Sequence, residues 1–259
     1  MYAIVTLPLV PLRQENNERS EMLSQLLFGE CVQLLETQNN WLKVKNLSDD
    51  YIGWADRKMI SPLNELEYRQ LSENMHAFKV SQPLSRCIKQ RSKQSLLLPA
   101  GALLWMDESN QCIINGEKYE YDPAEICDLN LQTGEQVLHY AHQFLNTPYL
   151  WGGKSLMGID CSGLVQVVFS IIGIQLPRDA SQQVEKGKIV DNIDSARAGD
   201  LAFFVNEKGR VSHVGILLNK QQIIHASGWV KIEQIDQSGI ISAADGSYTH
   251  KLHEIKRIL

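Results

Sequence analysis

The stretch YLWGGKSLMGIDCSGLVQ, Tyr149 to Gln166, constrains this 259-residue chain more than any other. A glycine-rich loop ends at one thiol, and an apolar run follows at once. Leu164, Val165, Val168, Ile171 and Ile172 fall at i, i+1, i+4, i+7 and i+8, one face of a helix that Gly173 ends from the C′ position. Asp160 then caps the helix, and Cys161 occupies its first turn. Unpaired backbone N–H groups and the positive end of the helix dipole favour a thiolate there, which lowers a thiol pKa below its usual value of about 8.5. A solitary cysteine beside apolar residues is more often a small core side chain, so position alone makes Cys161 only a candidate nucleophile.

The runs SHVGILL (212–218) and IIHASG (223–228) supply the second half of a constellation, with His213 and His225 on successive strand-like segments. A thiol nucleophile needs an imidazole to take its proton, and that imidazole needs a polar partner to fix its tautomer. Strand parity sharpens the expectation. In an antiparallel hairpin His213 lies directly opposite His225 if the loop holds an odd number of residues, such as 218–220, or if a bulge intervenes. A two-residue turn at 219–220 sends the rings to opposite faces. The expected arrangement has both rings on one face, with Cβ atoms about 4.5–5.5 Å apart.

Taken in order, GIDCSGLVQ, LPRDASQQ, AGDLAFF, SHVGILL and IIHASG resemble the NlpC-type cell-wall peptidases, which are papain-like cysteine peptidases. The likeness covers about the last half of the chain. It implies Cys161 as nucleophile, His213 as general base, His225 as the orienting third residue, and no metal or organic cofactor. It also implies cleavage of the γ-D-glutamyl bond to an L-diamino acid in peptidoglycan-derived peptides. Tyr149, Trp151, Asp160, Ser162 and Ser181 match positions that line the pocket in that group, and Arg178-Asp179 match an R-D pair that reads equally as a structural ion pair. The chemistry left open is acyl transfer or amidase action by the same Cys-His pair, or a wall-binding adaptor without activity.

Upstream, residues 1–62 read as short strands at 3–7, 31–36, 41–45 and 51–55 separated by polar turns, the pattern of a small barrel. SEMLSQLLFGECVQLLE, WLKVKN and YIGWADRKMI resemble a bacterial SH3-like domain. In the endopeptidases of the family such a domain helps to bind the free N-terminal L-alanine of the peptide through an acid and a tyrosine, which match Glu21 and Tyr51 here. Residues 63–75 read as a linker with a helical turn. QSLLLPAGALLWMDE followed by CIINGEKYEYD parallels the first segment and suggests a second barrel at 76–128. The expected architecture is an α+β papain-like catalytic domain, 129–259, preceded by two all-β SH3-like barrels. Its first helix is capped by Thr133. His139 and His142 on that helix, like His250 and His253, lack the further ligands of a metal site and read as surface residues.

A net charge of -5 and pI near 5.8 give no footprint for nucleic acid or an anionic membrane. Five cysteines without metal-type spacing, at 31, 87, 112, 127 and 161, argue against a disulfide framework and for a reducing compartment. With neither a signal-peptide pattern nor a membrane-length apolar run, the expected address is cytoplasmic and the expected state monomeric.

Overall fold

A computed structural model describes residues 1–127 and 132–259. The chain divides into two compact units, Met1–Leu129 and Asn130–Leu259. The expected boundary at 128/129 lies outside the described residues.

The first unit holds two antiparallel sheets. One comprises β1 (Tyr2–Val5), β2 (Leu9–Arg13), β3 (Met22–Leu27), β4 (Cys31–Gln38), β5 (Trp41–Asn46), β6 (Ile52–Asp56) and β7 (Ile60–Leu63). Its spatial order is β3-β2-β6-β5-β4-β1-β7. Three of these strands, β2, β3 and β7, go beyond the four expected; Pro11 and Pro62 interrupt the propensity signal of β2 and β7 while the sheet still pairs them. The second sheet comprises β8 (His76–Val80), β9 (Leu84–Lys89), β10 (Ser95–Pro99), β11 (Leu103–Met106), β12 (Cys112–Ile114), β13 (Glu117–Glu120) and β14 (Ile126–Cys127). Its order, β10-β9-β13-β12-β11-β8-β14, repeats that of the first sheet strand for strand. Between them, the stretch expected as a linker forms a ten-residue helix, α1 (Glu65–Asn74), closed by a capping box from Asn64 and Glu67. It belongs to the core: Leu71 is buried, and Tyr68 stacks on Tyr2 with ring centroids 4.0 Å apart.

The second unit begins with α2 (Gly134–His142), capped as expected by Thr133. The short strands β15 (Lys154–Ser155) and β16 (Gly158–Ile159) tie off the glycine-rich loop before α3 (Cys161–Ile171) and α4 (Ala180–Gln183). The sheet then follows: β17 (Lys188–Val190), β18 (Leu201–Val205), β19 (Val211–Asn219), β20 (Gln222–Ser227), β21 (Trp229–Ile235), β22 (Gly239–Ile241) and β23 (Tyr248–Arg257). They run in the order β17-β23-β18-β19-β20-β21-β22, and β22 also pairs with β23, so six strands close on themselves.

Helix α3 packs against α2, β19 and β20. All eleven of its residues are buried, more than the one apolar face that the sequence pattern marks. The opposite face is accommodated by local bonds: Gln166 donates to the Leu176 carbonyl at 3.0 Å and Ser170 to that of Val167 at 2.9 Å. Each fully buried aliphatic side chain on the helix contributes about 1.5–3 kcal/mol of transfer free energy, so the first turn that carries Cys161 is anchored by the most desolvated helix in the unit.

Candidate active site

The first turn of α3 is fixed by Asp160. Its Oδ1 accepts the N–H of Gly163 at 2.7 Å and its Oδ2 that of Gly152 at 2.8 Å, which draws the loop onto the helix. The approach is close: a Cβ on Gly163 would stand 2.3 Å from the Gly153 carbonyl oxygen. Both carboxylate oxygens also take the guanidinium of Arg178, at 3.0 and 2.6 Å, and Arg178 donates to Ser162 Oγ at 2.8 Å. The buried ion pair of Arg178 is therefore with Asp160, while its neighbour Asp179 stands at the N-cap of α4. A guanidinium only 1% exposed requires such a bidentate partner.

Cys161 is buried, and the backbone N–H groups of Val214 and Ser162 donate toward its sulfur. Val214 follows His213 on β19, so the thiol lies against the strand that carries that imidazole. Burial, reinforced by the Asp160 carboxylate, pushes the thiol up to about 11 against the pull of the two N–H groups and Arg178. The lowered pKa expected from the helix N-terminus is overturned because desolvation of a thiolate outweighs the dipole.

The two histidines meet. His213 Nε2 and His225 Nδ1 lie 2.9 Å apart, and the rings stand at 84° with centroids 5.1 Å apart. They share a face but are not directly opposite, as the parity argument had them. A bulge at Leu218 separates the Leu217–Ile223 and Asn219–Gln222 pairs. Continued one step from Ile216–Ile224, the register sets His225 against Gly215 and makes His213 its diagonal neighbour. A Cβ on Gly215 would come within 2.9 Å of His225 Cβ, so the missing side chain leaves the space through which the diagonal contact is made.

Two residues that the sequence reading did not place here complete the cluster. Glu233, on β21 and buried, accepts at 2.9 Å from His225 Nε2 and at 3.2 Å from Lys231, while its other oxygen takes the Ala243 N–H at 3.1 Å. His250, expected as a surface residue, stacks on His213 with centroids 4.2 Å apart. Phe204 lies against both rings. Burial first, then His225, His250 and Lys231, hold His213 well below the usual histidine value; burial likewise brings His225 down to about 4 despite Glu233. Both imidazoles are neutral near pH 7. The parity that joins His213 to His225 was available for Glu233 as well, since Ser227 pairs with Trp229 across Gly228 and keeps 225, 231 and 233 on one face.

The remaining expected site residues are distributed as follows. Tyr149 is half-buried near the thiol, and burial first, then the charges of Cys161 and Asp160, raise its phenol far above the usual value. Trp151 is 59% exposed on the same loop. Ser162 is engaged by Arg178, and Ser181 is exposed on α4. Tyr51 and Glu21 belong to the first unit: Tyr51 is half-buried, its N–H donating to Asp49 at 3.1 Å, and Glu21 is exposed just before β3. No disulfide joins any of the five cysteines, which are all buried. Among the described residues no group of three or more His, Cys, Asp or Glu side chains could hold a metal, and no helix is long and apolar enough to cross a membrane.

Residues 146–249 match the NlpC/P60 family, and residues 12–60 match the bacterial dipeptidyl-peptidase Sh3 domain. The chain is 29% identical over 218 residues to the γ-D-glutamyl-L-lysine dipeptidyl-peptidase of Bacillus subtilis, covering 78% of this chain and 71% of that one. It is 27% identical over 248 residues to dipeptidyl-peptidase 6 of Lysinibacillus sphaericus, covering 88% of each. In fold it is similar to the crystal structure of an NlpC/P60 family protein from Bacillus cereus, with a TM-score of 0.86 and 20% identity over the whole of both chains. With a buried thiol at a helix start facing a histidine-bearing strand, these likenesses make the chain a papain-like cysteine peptidase that carries an NlpC/P60 domain and a bacterial SH3 domain.

Proposed function

We propose that the chain hydrolyses the bond between γ-D-glutamate and an L-diamino acid in peptidoglycan-derived peptides that begin with a free L-alanine, releasing L-Ala-γ-D-Glu. The observation that carries the chemistry is that the N–H of Val214, the residue after His213, reaches the Cys161 thiol while His213 itself is hydrogen-bonded to His225. The substrate class is supported by the name of the Bacillus subtilis peptidase, and the free amine by the word dipeptidyl in the names of both relatives. The second sheet of the first unit, which shares its strand order with the first, we read as a second SH3-like domain.

Cys161 is the nucleophile. Because thiol and imidazole are both neutral in the free site, the proton passes from sulfur to His213 as the S–C bond forms at the γ-carbonyl. Nε2 of His213 is engaged by His225, which leaves Nδ1 to accept that proton. The imidazolium then protonates the departing α-amine of the diamino acid. Water, losing a proton to His213, attacks the thioester, and the dipeptide leaves as its carboxylate. The Cys161 N–H stabilises the oxyanion, and the Tyr149 phenol near the thiol, which burial keeps protonated, offers a hydroxyl donor. Glu21 and Tyr51 bind the alanine amine in this reading. Restriction to peptides already released from the glycan suits a role in wall-peptide recycling inside the cell.

The test is mass spectrometry of L-Ala-γ-D-Glu-L-Lys and of the meso-diaminopimelate analogue after incubation with the wild type and Cys161→Ala, beside cross-linked wall. Release of L-Ala-γ-D-Glu and the free diamino acid by the wild type alone is expected, with intact wall inert and N-acetylated peptide turned over far more slowly. Products joined to an added amine would assign the acyl-enzyme to transfer instead, and equal rates on acetylated and free peptide would remove the amine-binding role of Tyr51 and Glu21.

A further inference from the structure

We propose that Glu233 is a positioning residue that fixes the tautomers of both histidines, so that His213 turns an unprotonated Nδ1 to the thiol. The inference rests on Cys161 and His213 being the reacting pair. The buried carboxylate accepts from three donors at once: the Ala243 N–H on one oxygen, and His225 Nε2 and Lys231 on the other. Burial opposes its ionisation, but those three donors outweigh it and hold the carboxyl below its usual value. An ionised carboxylate has no proton to give. The 2.9 Å contact to His225 is therefore donated by the imidazole, which places the His225 proton on Nε2.

The consequence propagates. His225 is neutral, so its Nδ1 carries a lone pair and can only accept. The 2.9 Å contact between His225 Nδ1 and His213 Nε2 is then donated by His213. With its proton on Nε2, neutral His213 has a bare Nδ1, the form able to take the thiol proton. If the His225 tautomer were reversed, the contact to His213 could still form, but the bare Nε2 would face the carboxylate with no proton between them, and His213 would carry its proton on Nδ1 and be unable to act. Two of the three residues required for the reaction thus depend on one carboxylate that no part of the thiol or its loop supplies. Placement by the sheet is regular: His213, His225 and Glu233 lie on one face of β19, β20 and β21, each diagonal to the next.

The experiment is two-bond 1H–15N correlation of protein labelled with 15N-histidine near pH 7.5, which reads the tautomer of each ring and needs no substrate, together with kcat and KM on L-Ala-γ-D-Glu-L-Lys. In the wild type both His213 and His225 are expected as Nε2–H tautomers. Glu233→Gln keeps the shape, but its single carbonyl oxygen cannot serve Ala243 N–H and His225 at once, and its amide facing His225 imposes the reversed order. The variant is expected to show Nδ1–H signals on His213 and a kcat reduced about 10–100-fold, with KM within about twofold. Glu233→Ala in a His225→Ala background should add little further loss. A wild-type His213 in the Nδ1–H form overturns the proposal, as does a folded Glu233→Gln protein with unchanged spectra or a kcat within about twofold. If the wild type leaves the peptide uncleaved, the substrate assignment fails while the spectra still decide the relay.

Discussion

At Cys161 two fields compete, and the outcome is visible in the chemistry of the free thiol. The helix start, the N–H groups of Ser162 and Val214, and Arg178 favour the anion; burial and Asp160 oppose it and prevail, with the thiol near 11. Reaction with iodoacetamide should accordingly be slow at pH 7 and rise close to tenfold per pH unit from 7 to 10, following the thiolate fraction. A rate constant flat across that range would mean a preformed thiolate–imidazolium pair. His213, the base in the proposed mechanism, behaves in the opposite sense: a histidine held below its usual value stays unprotonated until lower pH, so the acid limb of kcat/KM should lie below about 6.5. Asp160 illustrates a different limit. Asp160→Ala removes the helix cap and strands the buried Arg178 charge, and a loss of about 3–5 kcal/mol in urea unfolding is expected. Loss below about 1 kcal/mol would show that Arg178 finds another partner.

Among the elements, α3 was the most legible, because its cap, its apolar run and its terminal glycine are adjacent and local: Asp160 caps, Gly173 has φ 82° and ends the helix. The β19–β20 hairpin was legible only in parity. The facing of the rings follows from counting residues, but which pair is opposite depends on the Leu218 bulge, which backbone geometry decides. Glu233 escaped because a lone acid on a strand carries no motif, although counting one hairpin further places it on the same face. The strands β2 and β7 escaped because proline weakens the local signal while neighbouring strands supply the pairing. The hairpin also yields an expectation at this scale. Gly215→Ala puts a methyl 2.6 Å from Ile223 Cδ1 and 2.9 Å from His225 Cβ. Repacking should cost about 1–3 kcal/mol, and movement of His225 should lower kcat more than about tenfold. A folded Gly215→Ala enzyme with wild-type kcat would show that the diagonal contact tolerates a shifted ring.

Across the molecule, the two units differ in how they use cysteine. The second unit has one, at the start of α3; the first unit buries four, of which Cys31, Cys87 and Cys112 lie in a core shared by its two sheets, where the Leu103 N–H donates to Phe28 O and Trp105 Nε1 to Gly29 O, both at 2.8 Å. Burial pushes Cys31 and Cys112 up to about 12 and Cys87 up to about 11, with Tyr119 also raised to about 12. In the unfolded chain a thiol titrates at about 8.5. Between that value and the folded ones the folded unit holds protons that the unfolded chain has lost, so the stabilising contribution is complete below about pH 8.5 and is lost as pH rises toward 11–12. Each group contributes a slope of up to about 1.4 kcal/mol per pH unit in that window. Urea unfolding of the full chain, with newly exposed thiols trapped by alkylation and located by mass spectrometry, should show the midpoint for Cys87 and Cys112 falling steeply from pH 8.5 to 10.5. Cys31→Val and Cys112→Val together should flatten that dependence, since an apolar side chain of similar size has no proton to lose. An unchanged slope in the double variant would move the alkaline sensitivity from the thiols to the tyrosines of the same core.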